Sequence, residues 1–367
     1  MLSNLTITDF RNIHSAELSP TQNINLLLGD NGSGKTSLLE AIHILGVGRS
    51  FRSQQLKNTV NLNADRCVLF ARSDDSTPIG MQYDLKTGLQ IRLNNAPLVK
   101  VSELALNLPL QYISANCHQF FELGPKFRRK LVDWGVFHVE HHFNYHWQSY
   151  KKASQQRNSA LKHKQSKLDV EAWNNTVINH GEHIANFRHT YLHRLLDAFI
   201  PIFTSLCTTF KSSIFTVKYN QGWAKDSSLH EILNNNFERD RMLGYSRTGP
   251  HSADWTIKIN DADPSEMLSR GQQKLFFLSI CIAQIEILLQ EKNYRNTILL
   301  IDDISSELDW QHQVNVIKFL RDLPVQVFMT STDKKMTTLM DETDDKVFHV
   351  ELGEVKDGSL LSQIADT

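Results

Sequence analysis

Apolar and polar positions change their period twice along the chain. Near the start, Leu2, Leu5 and Ile7 precede the segment Asp9-Phe10-Arg11-Asn12, and an apolar run follows from Ile24 to Leu28. Both apolar stretches read as strands. From Val68 to Ile91 the pattern alternates, with turn pairs at Thr77-Pro78 and Thr87-Gly88, which predicts further strands. Near Pro125 the character changes. From there to about Phe210 helix formers dominate, and Gly135 and Gly181 are the exceptions to an almost glycine-free stretch. Trp173, Val177, Ile184, Phe187, Tyr191 and Leu195 are spaced by four, seven, three, four and four residues, a heptad-like stripe that predicts one long helix. The basic, polar stretch Lys151 to Asp169 before it reads as a solvated helix end and a turn. Two long helices joined there would form an antiparallel arm. From about Arg247 strand and turn chemistry returns, and the remainder is α/β. The expected organisation is an α/β head split by a helical arm: 1–122, 123–240 and 241–367. No internal repeat is visible.

Composition narrows the class. A length of 367 residues suggests two domains, or one large domain with an insert, and 41% apolar residues suffice for a sizeable core. The most apolar window, Phe276 to Leu289, is too short for a membrane span and carries Ser279, Gln284 and Glu286. No basic and apolar leader precedes the first strand, so no export signal and no membrane partner are expected. Cys67, Cys117, Cys207 and Cys281 stand far apart without a CxxC pair, which suits reduced thiols in a cytoplasmic protein. A formal net charge of −1 counts against a uniformly basic nucleic-acid binder and leaves local patches to do that work.

The chemistry enters at Gly29-Asp30-Asn31-Gly32-Ser33-Gly34-Lys35-Thr36, which fits GxxxxGKT in full. The strand Ile24 to Leu28 enters it, and a helix leaves through Leu38, Leu39, Ile42 and Leu45. Such a loop aims backbone N–H groups and a helix N-terminus at a phosphate. Lys35 is placed for the β- and γ-phosphates of ATP, and the Thr36 hydroxyl for Mg2+. Downstream, the apolar run Ile298 to Ile301 reads as a buried parallel strand ending in Asp302-Asp303. Asp302 suits Mg2+, and Asp303 suits the attacking water. Between them lies Ser269-Arg270-Gly271-Gln272-Gln273, where Ser269 is a natural cap for the helix that follows and a second anion-binding terminus.

This ordered set, with Ser306-Glu307-Leu308-Asp309 behind it, resembles the ATP-binding-cassette ATPases, whose motifs run Walker A, signature, Walker B and D-loop. The resemblance implies that the signature of one subunit completes the nucleotide site of another. One copy of each motif therefore implies a head-to-tail homodimer around two ATP molecules. No Asn-Lys-x-Asp motif of a GTPase is present.

More specific stretches narrow the resemblance. "LTITDFRNIHSAEL", "GVGRSFR", "GPKFRRKLVDWGVFHVE", "SQQRNSAL", "SRTGPHSADW" and "LSRGQQK" together resemble the RecF family of recombinational-repair ATPases. That family resembles the heads of SMC proteins, with a short helical arm in place of a long coiled coil. The resemblance implies ATP-driven homodimerisation, binding of double-stranded DNA, slow DNA-stimulated ATP hydrolysis, and work with RecR and RecO where RecA is loaded at gaps. An architectural SMC-like clamp and, further off, a transporter ATPase subunit are the alternatives. Survival of function when hydrolysis is blocked would mark the clamp. DNA-stimulated hydrolysis and solubility without detergent would exclude the transporter.

Two departures from the broader cassette pattern stand out. Asp303 occupies a position that is usually Glu, one methylene longer, which implies slow turnover. "VQVFMTSTD" offers Thr330, Ser331 and Thr332 where a switch histidine is usual, and the γ-phosphate sensor is expected among them. Gln119 is a candidate for the Q-loop position. Arg49 and Arg52, extended by Lys57 and Arg66, form one expected DNA-contacting patch, and Lys126, Arg128, Arg129 and Lys130 form another. With a near-neutral chain, such patches gain from being paired in a dimer. Arg11 is read either as a nucleotide contact or as part of a structural ion pair. His138, His142 and His146 would share a helical face, with His141 beside them, but they read as surface histidines rather than a zinc site.

Overall fold

The computed structural model describes residues 1–291 and 297–358. The chain divides into two compact units, Met1–Cys117 together with the chain after Glu291, and His118–Glu291.

The first unit contains two sheets. In one, the strands Leu110–Ile113, Ile298–Ile301, Gln326–Ser331, Ile24–Leu28 and Lys346–Glu351 lie side by side and parallel, and Glu354–Gly358 closes the edge as an antiparallel hairpin. Every residue of its three central strands is buried, as a parallel sheet covered on both faces requires. The other sheet is antiparallel, in the order Ile13–Leu18, Leu2–Phe10, Arg66–Ser73, Pro78–Asp84, Gly88–Leu93 and Ala96–Pro97. The alternation from Val68 to Ile91 thus appears as three strands, with the turns falling just before Pro78 and Gly88, which open the second and third strands. Between the sheets runs the helix Lys35–Val47. It is buried nearly all round, with Leu38, Leu39, Ile42, Ile44 and Leu45 at 1% exposure or less, and its apolar side chains join both sheets into one core.

The second unit is mainly helical. Its longest helix, Asn174–Leu206, buries the expected stripe at Val177, Ile184, Tyr191 and Leu195 and continues it through Phe199 and Phe203. Phe143–Lys162 packs along it, linked through the short helix Lys167–Glu171, whose first turn is closed by a Ser166–Asp169 capping box. Arg270–Gln290 packs on the same long helix. Residues 241–291 therefore group by contacts with the helical unit, because this helix buries most of its length there. The hairpin of Phe215–Asn220 and Asp254–Ile259 completes the unit.

Two sequence expectations change here. The helix Pro125–Val139 ends at Glu140, and a new one starts at Phe143, so His138 does not share a helical face with His142 and His146. His138 is buried, whereas His146 meets His180, with Nδ1 atoms 3.0 Å apart, and stacks on His183. Among the described residues no group of three His, Cys, Asp or Glu side chains is arranged to hold a metal ion. Second, length does not exclude Arg270–Gln290 as a membrane span, since it is 21 residues long and apolar enough. Its surroundings do: 83% of its most apolar window is packed inside the protein.

Candidate nucleotide site

The site forms at the carboxyl ends of the parallel strands, where open α/β sheets place their ligands. Gly29 follows Leu28, Asp302 follows Ile301, and Thr332 follows Ser331. Asp302 and Thr332 open onto a cleft of about 740 Å³, also lined by Asn31, Gly32, Gly34, Lys35, Thr36 and Asp303. Two glycines have specific causes. Gly34 starts the helix at φ 122°, a backbone conformation that side chains oppose, and a Cβ on Gly29 would lie 2.1 Å from the Val350 carbonyl oxygen.

Lys35 is buried, and its Nζ donates to the carbonyls of Gly29 at 2.7 Å and Asp30 at 2.8 Å, so the ammonium lies within the loop. Burial pushes its pKa below the usual lysine value, while the nearby carboxylates of Asp302, Asp303 and Asp30 pull it back up. The buried hydroxyl of Ser33 finds no hydrogen-bond partner among the described residues. Thr36 Oγ1 donates to Asp302 Oδ1 at 3.1 Å and Oδ2 at 3.3 Å. Thr36 and Asp302 thus converge as hard oxygen donors, the type of ligand that a magnesium ion prefers.

The loop is also held from behind. Asn12 Nδ2 donates to the Ser33 carbonyl at 3.3 Å, and Asn12 Oδ1 accepts from Ser37 Oγ at 3.0 Å. The Gly353 N–H donates to the Ser33 carbonyl at 2.8 Å. Sequence reading passed over Asn12, although its place in "DFRN" beside Arg11 was the available signal.

Asp303 has φ 51°, and its N–H donates to Thr330 Oγ1. Beyond it Ser306 Oγ donates to the Asp303 carbonyl at 3.0 Å, Glu307 is left-handed at φ 63°, and Leu308 is buried. Asp309 caps the helix Trp310–Arg321 by accepting the His312 N–H at 2.9 Å.

Arg11 makes a structural ion pair at the wall of the cleft. It lines the cleft, and its guanidinium is bidentate to Glu40, at 3.0 Å through Nε and 2.7 Å through Nη2. Glu40 lies on the phosphate-loop helix with its side chain fully buried, and it also accepts from Ser50 Oγ at 2.5 Å and pairs with Arg52 at 3.6 Å. "GRSFR" is therefore a built loop. Gly48 caps the helix at φ 69°, where a Cβ would meet Val101, and Phe51 stacks on Tyr112 with centroids 3.9 Å apart. Burial pushes the His43 imidazole under this loop down to about 4. Arg52 is half exposed and lines the nucleotide cleft, while Arg49, Lys57 and Arg66 are exposed.

In the helical unit, Ser269 caps its helix as expected, forming a reciprocal capping box with Gln272. Arg270 pairs with Glu122 at 3.3 Å, and Gln119 opens the short helix Gln119–Glu122. Arg128 and Arg129 prove to be internal struts. Arg128 is bidentate to Asp254 at 2.8 Å through Nε and Nη2, and Arg129 donates to the Ala253 carbonyl at 2.6 Å. They tie the helix Pro125–Val139 to "SRTGPHSADW", so their guanidiniums are engaged within the unit and only Lys126 and Lys130 remain exposed.

Residues 1–356 match the RecF/RecN/SMC N terminal domain family. The chain is 38% identical to the DNA replication and repair protein RecF of Nitrosococcus oceani, across 97% of this chain and 99% of that one. It is 39% identical to its counterpart in Stutzerimonas stutzeri, across 96% of each. Among solved structures, one described as the recombination mediator protein RecF-ATP in the RecFOR pathway superposes with a TM-score of 0.83 and 25% identity, covering 97% of each chain. The Smc head domain of Pyrococcus furiosus, at 16% identity and a TM-score of 0.55, shares the fold. The chain belongs to the RecF/RecN/SMC N-terminal-domain family and, within it, to the RecF proteins.

Proposed function

We propose that the protein is an ATP-driven DNA-binding switch of replication and recombinational repair in the cytoplasm. ATP binds in the cleft with its β- and γ-phosphates against Lys35 and the N–H groups of Gly29 through Thr36. Thr36 and Asp302 would hold Mg2+, which when bound neutralises charge on the phosphate oxygens. The observation that carries this reading is the convergence of Lys35, Thr36, Asp302 and Asp303 on one cleft, with Thr36 Oγ1 3.1 Å from Asp302.

Asp303 accepts a proton from the attacking water. The resulting oxygen bonds to the γ-phosphorus, and the bond to the β,γ-bridging oxygen breaks to leave ADP. Ser269, Arg270, Gly271 and Gln272 complete the partner subunit's site in a head-to-tail homodimer, with Ser306 to Asp309 near the contact. The ATP-closed dimer holds double-stranded DNA through exposed Arg49 and Lys57, with Arg52 nearby, and slow DNA-stimulated hydrolysis releases it. The helical segment 123–240 serves as a short arm inserted in the head. RecR, with RecO behind it, is the partner through which RecA reaches gapped DNA.

Asp303→Asn tests the hydrolytic part. Turnover is expected to fall about 10²- to 10⁴-fold, the range for loss of a general base, while ATP binding persists. Dissociation from duplex DNA in the presence of ATP should slow in parallel, as read by competitor challenge. Wild-type turnover in this variant would take the proton-accepting role away from Asp303.

A further inference from the structure

The strand Gln326–Ser331 lies between the phosphate-loop strand and the strand leading to Asp302. Its last two residues are hydroxyl-bearing, and both reach the Asp302-Asp303 turn. Thr330 is 1% exposed, and its Oγ1 stands 2.8 Å from Asp302 Oδ1 and 2.7 Å from the backbone nitrogen of Asp303. An amide only donates, so the Thr330 hydroxyl accepts from Asp303 and gives its own hydrogen to Asp302. The Thr330 carbonyl accepts the Ile304 N–H at 3.1 Å, so one residue grips the turn at three successive positions.

Ser331 acts on the side-chain end of the same turn. Its Oγ is 2.9 Å from Ser305 Oγ, and Ser305 Oγ donates to Asp303 Oδ1 at 3.3 Å. Ser331 Oγ also accepts the Asp333 N–H at 2.9 Å, which fixes it from the far side. These contacts matter because Asp303 is left-handed, at φ 51°, a conformation that costs a non-glycine residue energy and persists only when its surroundings impose it. Thr332, by contrast, is exposed and lines the cleft, free to approach a phosphate.

We propose that Thr330 and the Ser331–Ser305 hydroxyl pair are positioning residues that hold the Asp303 backbone and carboxylate in their working orientation. Thr330 and Ser331 are thus supports of the proton acceptor rather than sensors of the γ-phosphate. The inference rests on the reading of Asp303 as that acceptor. Without the Thr330 hydroxyl the Asp303 amide loses its acceptor and Asp302 loses a donor. The turn is then free to relax toward an ordinary backbone, which carries the carboxylate away from the water.

The test measures steady-state hydrolysis and equilibrium binding of mant-ATP for the full chain and for Thr330→Val, Thr330→Ser and Ser305→Ala. Thr330→Val is expected to lower kcat by about 10- to 100-fold, as loss of a supporting contact behind a reactive group commonly does, with KM and mant-ATP affinity within about twofold of wild type. Thr330→Ser should recover most of the rate, since it restores the hydroxyl. Ser305→Ala changes a half-exposed turn residue, so it keeps the proposal testable should Thr330→Val not fold. Its kcat should fall with KM unchanged. An unchanged kcat in Ser305→Ala and in folded Thr330→Val would overturn the proposal, as would a parallel loss of mant-ATP affinity, which would place these hydroxyls in substrate binding. A wild-type chain that binds mant-ATP without any turnover would instead overturn the hydrolytic reading itself.

Discussion

Lys35→Ala should leave a folded protein that hydrolyses ATP at least about 10²- to 10³-fold more slowly than wild type, the scale for removing a group aimed at charge developing in a transition state. The ammonium is already poised in the loop, 2.7 and 2.8 Å from the Gly29 and Asp30 carbonyls, and a phosphate in the cleft offers it a stronger, charged acceptor. The loop does not depend on Lys35 for its shape, because Asn12 and the Gly353 amide hold the Ser33 carbonyl independently. Thermal unfolding without nucleotide should therefore change little, while stabilisation by added ATP and Mg2+ should vanish. Retention of that nucleotide-induced shift at wild-type size would show that phosphate binding rests elsewhere.

The second large effect concerns stability. Arg157 and Asp240 form an ion pair at 3.0 Å, with side chains 1% and 2% exposed. Arg157 also donates to Asn174 Oδ1 at 2.9 Å and bonds the Ser246 hydroxyl, which in turn donates to Asp240 at 3.0 Å. Removing one partner strands the other charge without water. Asp240→Ala should therefore cost the helical unit about 3–5 kcal/mol, whereas the paired replacement Arg157→Met with Asp240→Leu should recover much of it. Urea unfolding followed through the tryptophans of this unit, Trp134, Trp147, Trp173, Trp223 and Trp255, reads the difference, and the mant-ATP site on the other unit serves as an internal control. Equal stability of the single variant and wild type would remove the pair from the unit's support.

Legibility from sequence followed the range of the interactions. The phosphate loop, the Asp302-Asp303 strand end and the Ser269 cap are local devices, each written within a few residues of strand, glycine or cap chemistry, and each appears where the pattern puts it. The stripe from Val177 to Leu195 was legible for the same reason, since a helix repeats its own face. Partnerships across the chain were not. Arg157 hides in a stretch that reads as solvated and basic, because its carboxylate partner lies 83 residues away. Arg128 looks like a free phosphate contact until Asp254, 126 residues on, is seen to claim it. Glu40 sits inside a helix whose other side chains are mostly apolar, and nothing local announces that it gathers Arg11, Ser50 and Arg52. The helix break at Glu140 was missed because no glycine or proline marks it.

Hydrolysis at composite sites between two copies of this chain on DNA, as proposed, makes turnover depend on how many chains meet. The most direct test is the ATPase rate per chain as a function of protein concentration, with and without duplex DNA. A rate that climbs with concentration, rises further with DNA, and collapses in Ser269→Arg mixed with Lys35→Ala except for the one complementary site is the expected result. A concentration-independent rate indifferent to DNA would contradict it.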